Sequence, residues 1–233
     1  MLRRLPKEER RHRILDGVER LILERGSADF TMHELASYVG ISPTTFYNQF
    51  GSKGAVLYCL LNRGLDTLID HRLNLDSNLD PVARAIAGMT EAAELFISKP
   101  RLFRPLYKFQ LSERDMSDRP HYLEKGLEYW RYCLTGLSDA GYLKASFGGL
   151  GMDRDDLALV LLTHSVGVLD LWVQEDIDDN EFRARMTHDA ALIVAAVVPE
   201  QERARIAVIL REVRPFMSKF SFVERPRSIK RAS

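Results

Sequence analysis

The residues best suited to chemistry in this 233-residue sequence lie in one short segment, residues 40–50, which reads GISPTTFYNQF. Between its hydrophobic side chains the segment carries hydroxyl and amide groups and no formal charge. Such groups both donate and accept hydrogen bonds. On an exposed helix they could pair with base edges in the major groove of DNA, where each base pair presents a distinct set of donors and acceptors. That chemistry requires neighbouring elements that hold these side chains outward.

The elements before this segment are marked by capping residues. Apolar residues at helical spacing predict a first helix from Ile14 that ends at Gly26, a residue suited to the left-handed conformation of a helix C-terminus. Thr31 and Glu34 have the spacing of a capping box, which predicts the start of a second helix. Gly40 is suited to end that helix.

The segment itself is predicted to be a third helix in a helix-turn-helix arrangement. Ser42 can cap its start and Pro43 suits its first position, because a proline lacks the N–H that would be unpaired there. Ser52 offers the cap of a fourth helix. Phe46 and Phe50 are four residues apart and can both point into a core. The side chains left to face outward are those of Thr44, Thr45, Tyr47 and Asn48.

The formal net charge is zero, but the charges are unevenly distributed. Residues 1–63 hold 10 Lys+Arg against 7 Asp+Glu, residues 64–210 hold 16 against 24, and residues 211–233 hold 7 against 2. Both ends are therefore basic and the middle is acidic. This segregation is compatible with a surface that binds a polyanion, although a solvated basic tail is the commoner meaning of such a pattern.

The composition predicts a globular protein with 45% hydrophobic residues and a substantial core. Cys59 and Cys133 are far apart in apolar surroundings, so we expect free thiols and no disulfide. We recognise neither the apolar stretch of an export signal nor a membrane-spanning window, and we expect a cytoplasmic protein.

The sequence lacks the familiar catalytic and metal-binding patterns. Residues 148–151, GGLG, are not followed by the lysine of a phosphate loop. Asp176 and Asp178 match the first ligands of a calcium loop, but Glu181 stands where that loop needs glycine. We therefore predict no catalytic residue, no metal and no cofactor. An all-α enzyme is the alternative from a different functional class.

Residues from about 12 to 61 resemble the DNA-binding domain of TetR/AcrR-type (tetracycline-repressor-like) transcriptional regulators. The family pattern is T-x-x-x-[IL]-A-x-x-x-G-[VI]-S-x-x-T-[LF]-Y-x-x-F-x-[SN]-K, and residues 31–53 match nearly every specified position. Thr44 and the Asn48-Gln49 pair differ from the residues usual in the family. The positions that the resemblance implies for operator contact are Thr31, Ser42, Pro43, Thr44, Thr45, Tyr47, Asn48 and Lys53.

The resemblance also implies an all-α organisation in which an N-terminal three-helix DNA-binding domain precedes a larger effector-binding and dimerisation domain. Residues 1–55 would form a basic arm and the DNA-binding domain, residues 56–218 the larger domain, and residues 219–233 a basic, disordered tail. Breaks are predicted at Pro81, Pro100, Pro105 and Pro120, and helices near 82–98, 101–112, 121–140, 155–174, 181–198 and 200–214.

A homodimer is expected because operator specificity generally needs two recognition helices about 34 Å apart. Two apolar stripes favour helices that could close a four-helix interface, although both stripes could instead line the monomer core. The stripes are Leu157, Val160, Leu161, His164, Val168, Leu171 and Trp172, and Phe182, Met186, Ala190, Ile193, Val194 and Val197.

Aromatic residues are concentrated in the middle helices, where they could surround a cavity for a small, largely apolar or aromatic effector. Effector binding would favour a conformation whose recognition helices no longer match the operator, with repression as the family default. A DNA-binding protein without an effector, whose aromatics are all core, is the other alternative. The candidate ligand-binding residues are Phe96, Phe103, Tyr107, Tyr129, Trp130, Cys133 and His164.

Overall fold

The computed structural model describes residues 6–73, 80–112, 117–145 and 152–218. These residues form α-helices joined by short turns, with no strand among them, which confirms the predicted all-α class. The predicted tail, the GGLG segment and residues 1–5 of the predicted arm lie outside the described residues. The helices are α1 (Lys7–Arg25), α2 (Met32–Tyr38), α3 (Pro43–Phe50), α4 (Lys53–Leu73), α5 (Pro81–Ser98), α6 (Pro100–Ser112), α7 (Arg119–Cys133), α8 (Thr135–Asp139), α9 (Arg154–Val173), α10 (Asp179–Val197) and α11 (Glu200–Val213).

The first three helices pack around a small apolar core of their own. Ile14 and Ile22 of α1, Leu35 of α2 and Phe46 of α3 are fully buried. Gly26 ends α1 with φ 64°, in the left-handed region that the sequence predicts for it. The arrangement gives α3 one buried face and leaves the opposite face to solvent.

The helix α1 begins at Lys7 rather than at Ile14, so residues 7–13 are helix and not part of a basic arm. Glu8 and Glu9 lie in its first turn, where negative charge is favoured by the helix dipole. Arg13 pairs with Glu9 over 2.9 Å, one helical turn away. Charged residues of this kind support a helix without contributing to the apolar pattern, which is why the pattern missed this start.

The helix α4 connects the N-terminal unit, which consists of α1, α2 and α3, to the rest of the chain without interruption. Its start is capped by Ser52, whose Oγ accepts a hydrogen bond from the Ala55 N–H over 3.0 Å. Val56 and Leu57 are fully buried in its first turns. The predicted domain boundary between residues 55 and 56 therefore falls inside one continuous helix, and it stays a prediction.

Two of the predicted helix breaks differ from the structure. Pro105 lies inside α6, where its buried ring packs in the core and the missing N–H affects only the carbonyl one turn earlier, near the helix start. A single helix over 121–140 is instead interrupted at Leu134, between α7 and α8. The interruption brings Gly136 against Pro81, where an added Cβ would lie 3.1 Å from the Pro81 Cβ.

Most residues of the two apolar stripes lie in the core of the single chain, so the prediction that these buried residues form a dimer interface is wrong. Trp172 stacks on Phe182 with ring centroids 5.1 Å apart. Val160 is exposed, and His164, Leu171 and Ile193 are half-buried. Periodicity marks a buried face but does not say which chain buries it. The buried stripe residues are Leu157, Leu161, Val168, Trp172, Phe182, Met186, Ala190, Val194 and Val197.

The helix α9 is long and apolar enough, by length and composition, to pass a test for a membrane span, with a mean hydropathy of 1.6. In this fold it packs against α6, α7 and α10. Leu157, Leu161 and Trp172 of α9 are buried by this packing, whereas Leu159 and Val160 are exposed.

Candidate DNA-binding surface and internal cavity

The start of α3 is fixed by Ser42. Its Oγ accepts a hydrogen bond from the Thr45 N–H over 3.2 Å, and Pro43 occupies the first helical position. Phe46 and Phe50 point together into the core, with ring centroids 5.3 Å apart. Two large buried side chains on one face orient the remaining side chains of this short helix.

The outward face of α3 carries Thr44, Tyr47 and Asn48, which are all exposed. Tyr47 leaves 43% of its surface accessible. Its ring meets the ring of His33 on α2 edge-on, with centroids 6.4 Å apart. Thr45 is half-buried, and its Oγ1 lies 2.7 Å from the Oγ of Ser42. Hydroxyl, phenol and amide groups therefore share one accessible surface.

The start of α2 is held by the predicted capping box. Thr31 Oγ1 accepts from the Glu34 N–H over 3.2 Å, and Glu34 Oε2 accepts from the Thr31 N–H over 2.8 Å. The hydrogen bond from the Thr31 N–H lowers the pKa of Glu34, and Arg25, at 3.2 Å, lowers it further. The carboxylate that completes the cap therefore stays charged to a lower pH than an ordinary glutamate.

Lys53, the first residue of α4, is half-buried rather than extended into solvent. Its ammonium nitrogen lies 5.1 Å from the centre of the Phe30 ring and 5.5 Å from that of Phe109. These are favourable cation–π distances. A contact between Lys53 and a DNA phosphate would therefore compete with, or be shared with, these two rings.

Arg11 of α1 anchors the end of α3, a role that the sequence did not predict. It donates from Nη1 to the Gln49 carbonyl over 3.3 Å, and its guanidinium lies 4.7 Å from the centre of the Phe50 ring. Its Nη2 contacts Cys59 Sγ at 2.7 Å. The apolar pattern placed the start of the first helix at Ile14, so Arg11 fell in an arm and no fixed partner could be predicted for it. The structure begins α1 at Lys7, which holds Arg11 in the helix.

The larger group of helices encloses a cavity of about 50 Å³, with walls from α4, α5, α6, α7, α9 and α10. Sites for drug-sized ligands usually measure roughly 300–1,000 Å³. The described conformation is therefore nearly filled. The candidate ligand-binding residues that line the cavity are Phe96, Tyr107, Tyr129 and Trp130.

Polar groups are set into the apolar wall of this cavity. The hydroxyls of Tyr107 and Tyr122 are hydrogen-bonded to each other, and the Tyr129 hydroxyl donates to the Gly88 carbonyl over 2.7 Å. Burial raises the pKa of Tyr122 to about 12 and that of Tyr107 well above its usual range. Both phenols are therefore neutral donors and acceptors at physiological pH. Gln110 adds a buried amide to the same wall.

The other three candidate ligand-binding residues do not line the cavity. Phe103 meets Phe96 edge-on at 5.2 Å and lies against Gly64 of α4. Cys133 is fully buried at the end of α7. His164 is half-buried and donates to Asp189 on α10 over 2.8 Å. Sequence periodicity could not separate these residues from the lining ones, because it does not reveal which side of a packed helix borders a void.

The helices α9 and α10 also present an apolar surface to solvent. Leu159 and Leu192 expose 52% and 49% of their surface, and Val160 exposes 42%. Gly167 lies exposed on α9, and a Cβ added to it would meet no atom within 4 Å. Exposed apolar side chains on two packed helices are typical of an interaction surface.

The N-terminal unit matches a known group of regulators. The sequence profile of bacterial regulatory proteins of the tetR family matches residues 14–58, which run from α1 into α4. This N-terminal segment is therefore similar to the tetR family. The matched segment contains all eight residues of the predicted operator-contact set. The predicted resemblance to this family is confirmed over residues 14–58.

Similar proteins match different parts of the chain. The HTH-type transcriptional activator FasR of Mycolicibacterium smegmatis is 33% identical over 66 residues, which cover 28% of this chain and only 30% of FasR. SmeT, the repressor of the Stenotrophomonas maltophilia multidrug efflux pump SmeDEF, shares the fold with a TM-score of 0.57 and 24% identity. That match covers 82% of this chain and 91% of SmeT.

A second solved structure extends the fold likeness across more of the chain. It is a TetR-family transcriptional regulator from Marinobacter aquaeolei, with a TM-score of 0.56 and 17% identity. The match covers 87% of this chain and 98% of that protein. The larger helical part of the chain thus shares its fold with these structures, while its sequence diverges.

Proposed function

We propose that this protein is a tetR-family regulator that binds double-stranded operator DNA as a homodimer and regulates transcription from a nearby promoter. The observation that carries the proposal is the division of α3 into an exposed polar face and a face buried through Phe46 and Phe50. An exposed helix of this kind fits the major groove, where hydroxyls and amides can pair with base edges. With DNA as its partner, the protein would act in the cytoplasm.

The contact residues divide into two kinds. Thr44 and Asn48 are exposed on α3 and would read base edges, because a threonine methyl can contact thymine and an asparagine amide can pair with adenine. Tyr47 and backbone N–H groups at the starts of α2 and α3 would bind phosphates. Lys53 would add a charge near the DNA backbone, where contacts position the protein without reading sequence.

The exposed apolar surface of α9 and α10 would form the dimer interface. Leu159, Val160 and Leu192 are the large apolar side chains on it, and Gly167 would let a helix of the second subunit approach closely. A two-fold dimer uses the same surface on both subunits and places two α3 helices on a palindromic operator.

A small, largely apolar or aromatic effector would bind in the internal cavity, against Phe96, Tyr129 and Trp130. Because the described cavity measures only about 50 Å³, the effector would have to select a conformation in which the surrounding helices move apart. Such a ligand can alter DNA binding only if the opened conformation positions the two α3 helices differently.

The small cavity favours a second candidate, a tetR-family regulator that has no small-molecule effector. In that case the aromatic residues of α5, α6 and α7 serve as core alone. Thermal unfolding of wild type and of Met186→Ala, which enlarges the cavity, in the presence of indole would separate the two candidates. Indole should stabilise the variant and, if the cavity opens in wild type, stabilise wild type as well.

Repression is the proposed direction of regulation. A dimer bound across a promoter blocks transcription from it. Effector binding would release the dimer from the DNA and allow transcription again. The similar proteins include both kinds of regulator, because FasR is called an activator and SmeT a repressor. A reporter driven by the gene's own upstream region should rise in activity when the gene is deleted, whereas an activator would give a fall.

Fluorescence anisotropy with DNA from the upstream region tests binding itself. The affinity should fall steeply as salt rises, because neutralised phosphates release counterions. Asn48→Ala should change the preference among operator variants, whereas Lys53→Ala should weaken all DNA about equally. Absence of any salt-sensitive, sequence-preferring binding would contradict the proposal.

A further inference from the structure

A second concave site lies between the N-terminal unit and α6. This interdomain cleft measures about 680 Å³, against about 50 Å³ for the internal cavity. One wall is formed by residues 26–29 and Lys53, and the other by α6 from Pro100 to Ser112. Its volume lies within the usual range of small-molecule sites, roughly 300–1,000 Å³. No rearrangement of the helices is needed to admit a ligand here.

The walls of the interdomain cleft carry more positive than negative charge. Lys53 is held over aromatic rings, and Arg101 donates to the Glu24 carbonyl over 3.5 Å. Lys108 is exposed. Within the described part of the chain, ion pairs at this cleft are confined to Arg104. The charged residues that line it are Lys53, Arg101, Arg104, Lys108, Asp29 and Glu175.

Arg104 is fixed in place without a close carboxylate partner. Its guanidinium lies 4.5 Å from the centre of the Trp172 ring. Its Nη atoms lie 3.5 Å from Glu175 and 3.4 Å from Asp179, whereas close charge-assisted pairs measure about 2.7–2.9 Å. A guanidinium that is positioned by stacking and loosely paired can donate to an additional anion.

We propose that the interdomain cleft binds a small phosphate-bearing molecule. Arg101 and Arg104 supply planar donors that match phosphate oxygens, and Lys53 and Lys108 supply point charges. Of the predicted operator-contact set, Lys53 alone lines the cleft, so the site is separate from the outward face of α3. A concavity bounded by two parts of the protein suits a small anion better than a passing DNA strand.

Occupancy of the cleft would have a consequence for DNA binding. A phosphate bridging Lys53 and α6 would hold the lysine ammonium in the cleft and link the N-terminal unit to the larger domain. The ligand would then weaken DNA binding by competing for Lys53. This consequence rests on the proposed DNA binding, whereas occupation of the cleft does not.

Isothermal titration of the full chain with inorganic pyrophosphate, at constant ionic strength, tests the proposal. We expect saturable binding at one site per chain, weakened at least tenfold in the double variant Arg101→Gln, Lys108→Gln. Arg211→Gln changes an exposed arginine on α11, away from the cleft, and should bind like wild type. Absence of saturable binding, or equal weakening in Arg211→Gln, would overturn the proposal.

The same variants distinguish a small anion from the DNA backbone. Without pyrophosphate, the double variant should bind DNA with the wild-type affinity and salt dependence. A loss of DNA affinity with a smaller salt slope, together with no pyrophosphate binding, would assign the cleft to DNA phosphates and overturn the proposal. Pyrophosphate binding by a protein that binds no DNA would support the cleft site and contradict only the proposed function.

Discussion

Gly17 of α1 lies so close to Val39, at the end of α2, that a Cβ added to it would stand 2.6 Å from Val39 Cγ1. Real Cβ atoms do not approach another carbon this closely, and the β-branched valine has little rotational freedom to move away. The absence of a side chain at position 17 therefore sets how closely α1 packs against the turn that leads into α3.

Gly17→Ala should destabilise the protein by about 1 kcal/mol. Overpacking lowers the free energy of unfolding by roughly 1–3 kcal/mol. The better helix propensity of alanine offsets about 1 kcal/mol of that loss. Urea unfolding followed by circular dichroism measures the change. Adding Val39→Ala should relieve the clash, so the combined loss should be smaller than the sum of the two single losses. Additive losses would contradict the close packing.

Substitution of Ser42 should separate folding from DNA binding. Ser42→Ala removes the α3 cap and should cost about 1 kcal/mol in unfolding free energy. Ser42→Asp keeps a capping acceptor but places a negative charge beside the expected phosphate, so its stability should stay near wild type while its DNA affinity falls at least tenfold. Unfolding and anisotropy measurements on both variants test this. Wild-type DNA affinity in Ser42→Asp would argue against a phosphate at this helix end.

The local elements of the N-terminal unit were predictable because short-range chemistry specifies them. The Thr31 cap, the Ser42 cap and the Gly40 turn each depend on residues within a few positions of one another. The link between Arg11 and Gln49 joins residues 38 positions apart and left no local pattern. Sequence spacing could indicate the outward face of α3, but not the distant residue that fixes its end.

The positions of the helices in the larger domain could be predicted from the sequence. Which of their residues face the core and which border the cavity could not. The helix positions follow from apolar periodicity, and most were predicted within a few residues. Periodicity could not show that Trp172 stacks on Phe182 within one chain, or that Phe96 borders the cavity while Cys133 does not. Those distinctions depend on how packed helices face one another, which sequence spacing alone does not determine.

Stability should decrease as pH rises above about 6.5 because of the ion pair between His164 and Asp189. The hydrogen bond to Asp189 raises the pKa of His164 above 6.5. A histidine with a raised pKa in the folded state contributes its full stabilisation below its unfolded pKa, and loses it as pH rises through the folded value. The His164 side chain is 40% exposed, so solvent screens the effect and keeps it small.

Asp189 also accepts a hydrogen bond from His188 over 2.8 Å. Burial raises the pKa of Asp189, but the hydrogen bonds from His164 and His188 lower it below its usual value of 3.8, so Asp189 stays charged across the neutral range. Melting temperatures measured from pH 5.5 to 8.5 should show a shallower decline in His164→Gln than in wild type. His12→Gln, at an exposed position of α1, should retain the wild-type profile. An unchanged slope in His164→Gln would contradict this assignment.

Leu192→Glu should dissociate the proposed dimer. The side chain is 49% exposed in the single chain, so the substitution should leave the fold intact. Burial of an unpaired charge in an interface costs about 3–5 kcal/mol, which corresponds to more than 100-fold in the dimer dissociation constant. Light scattering coupled to size exclusion measures the oligomeric state. Val208→Glu, 44% exposed on α11, is the matched control and should remain dimeric. Equal behaviour of both variants would place the interface elsewhere.

Methylation interference on the operator tests most directly whether the exposed face of α3 reads DNA from the major groove. Methyl groups on guanine N7 lie in the major groove and those on adenine N3 in the minor groove. Binding of two α3 helices predicts interference at guanine N7 in two half-sites separated by one helical turn or a multiple of it. Tyr47→Ala should weaken binding without moving these positions, because Tyr47 is expected to contact a phosphate. Interference confined to adenine N3, or to one position without a symmetric partner, would contradict a dimer that binds through α3.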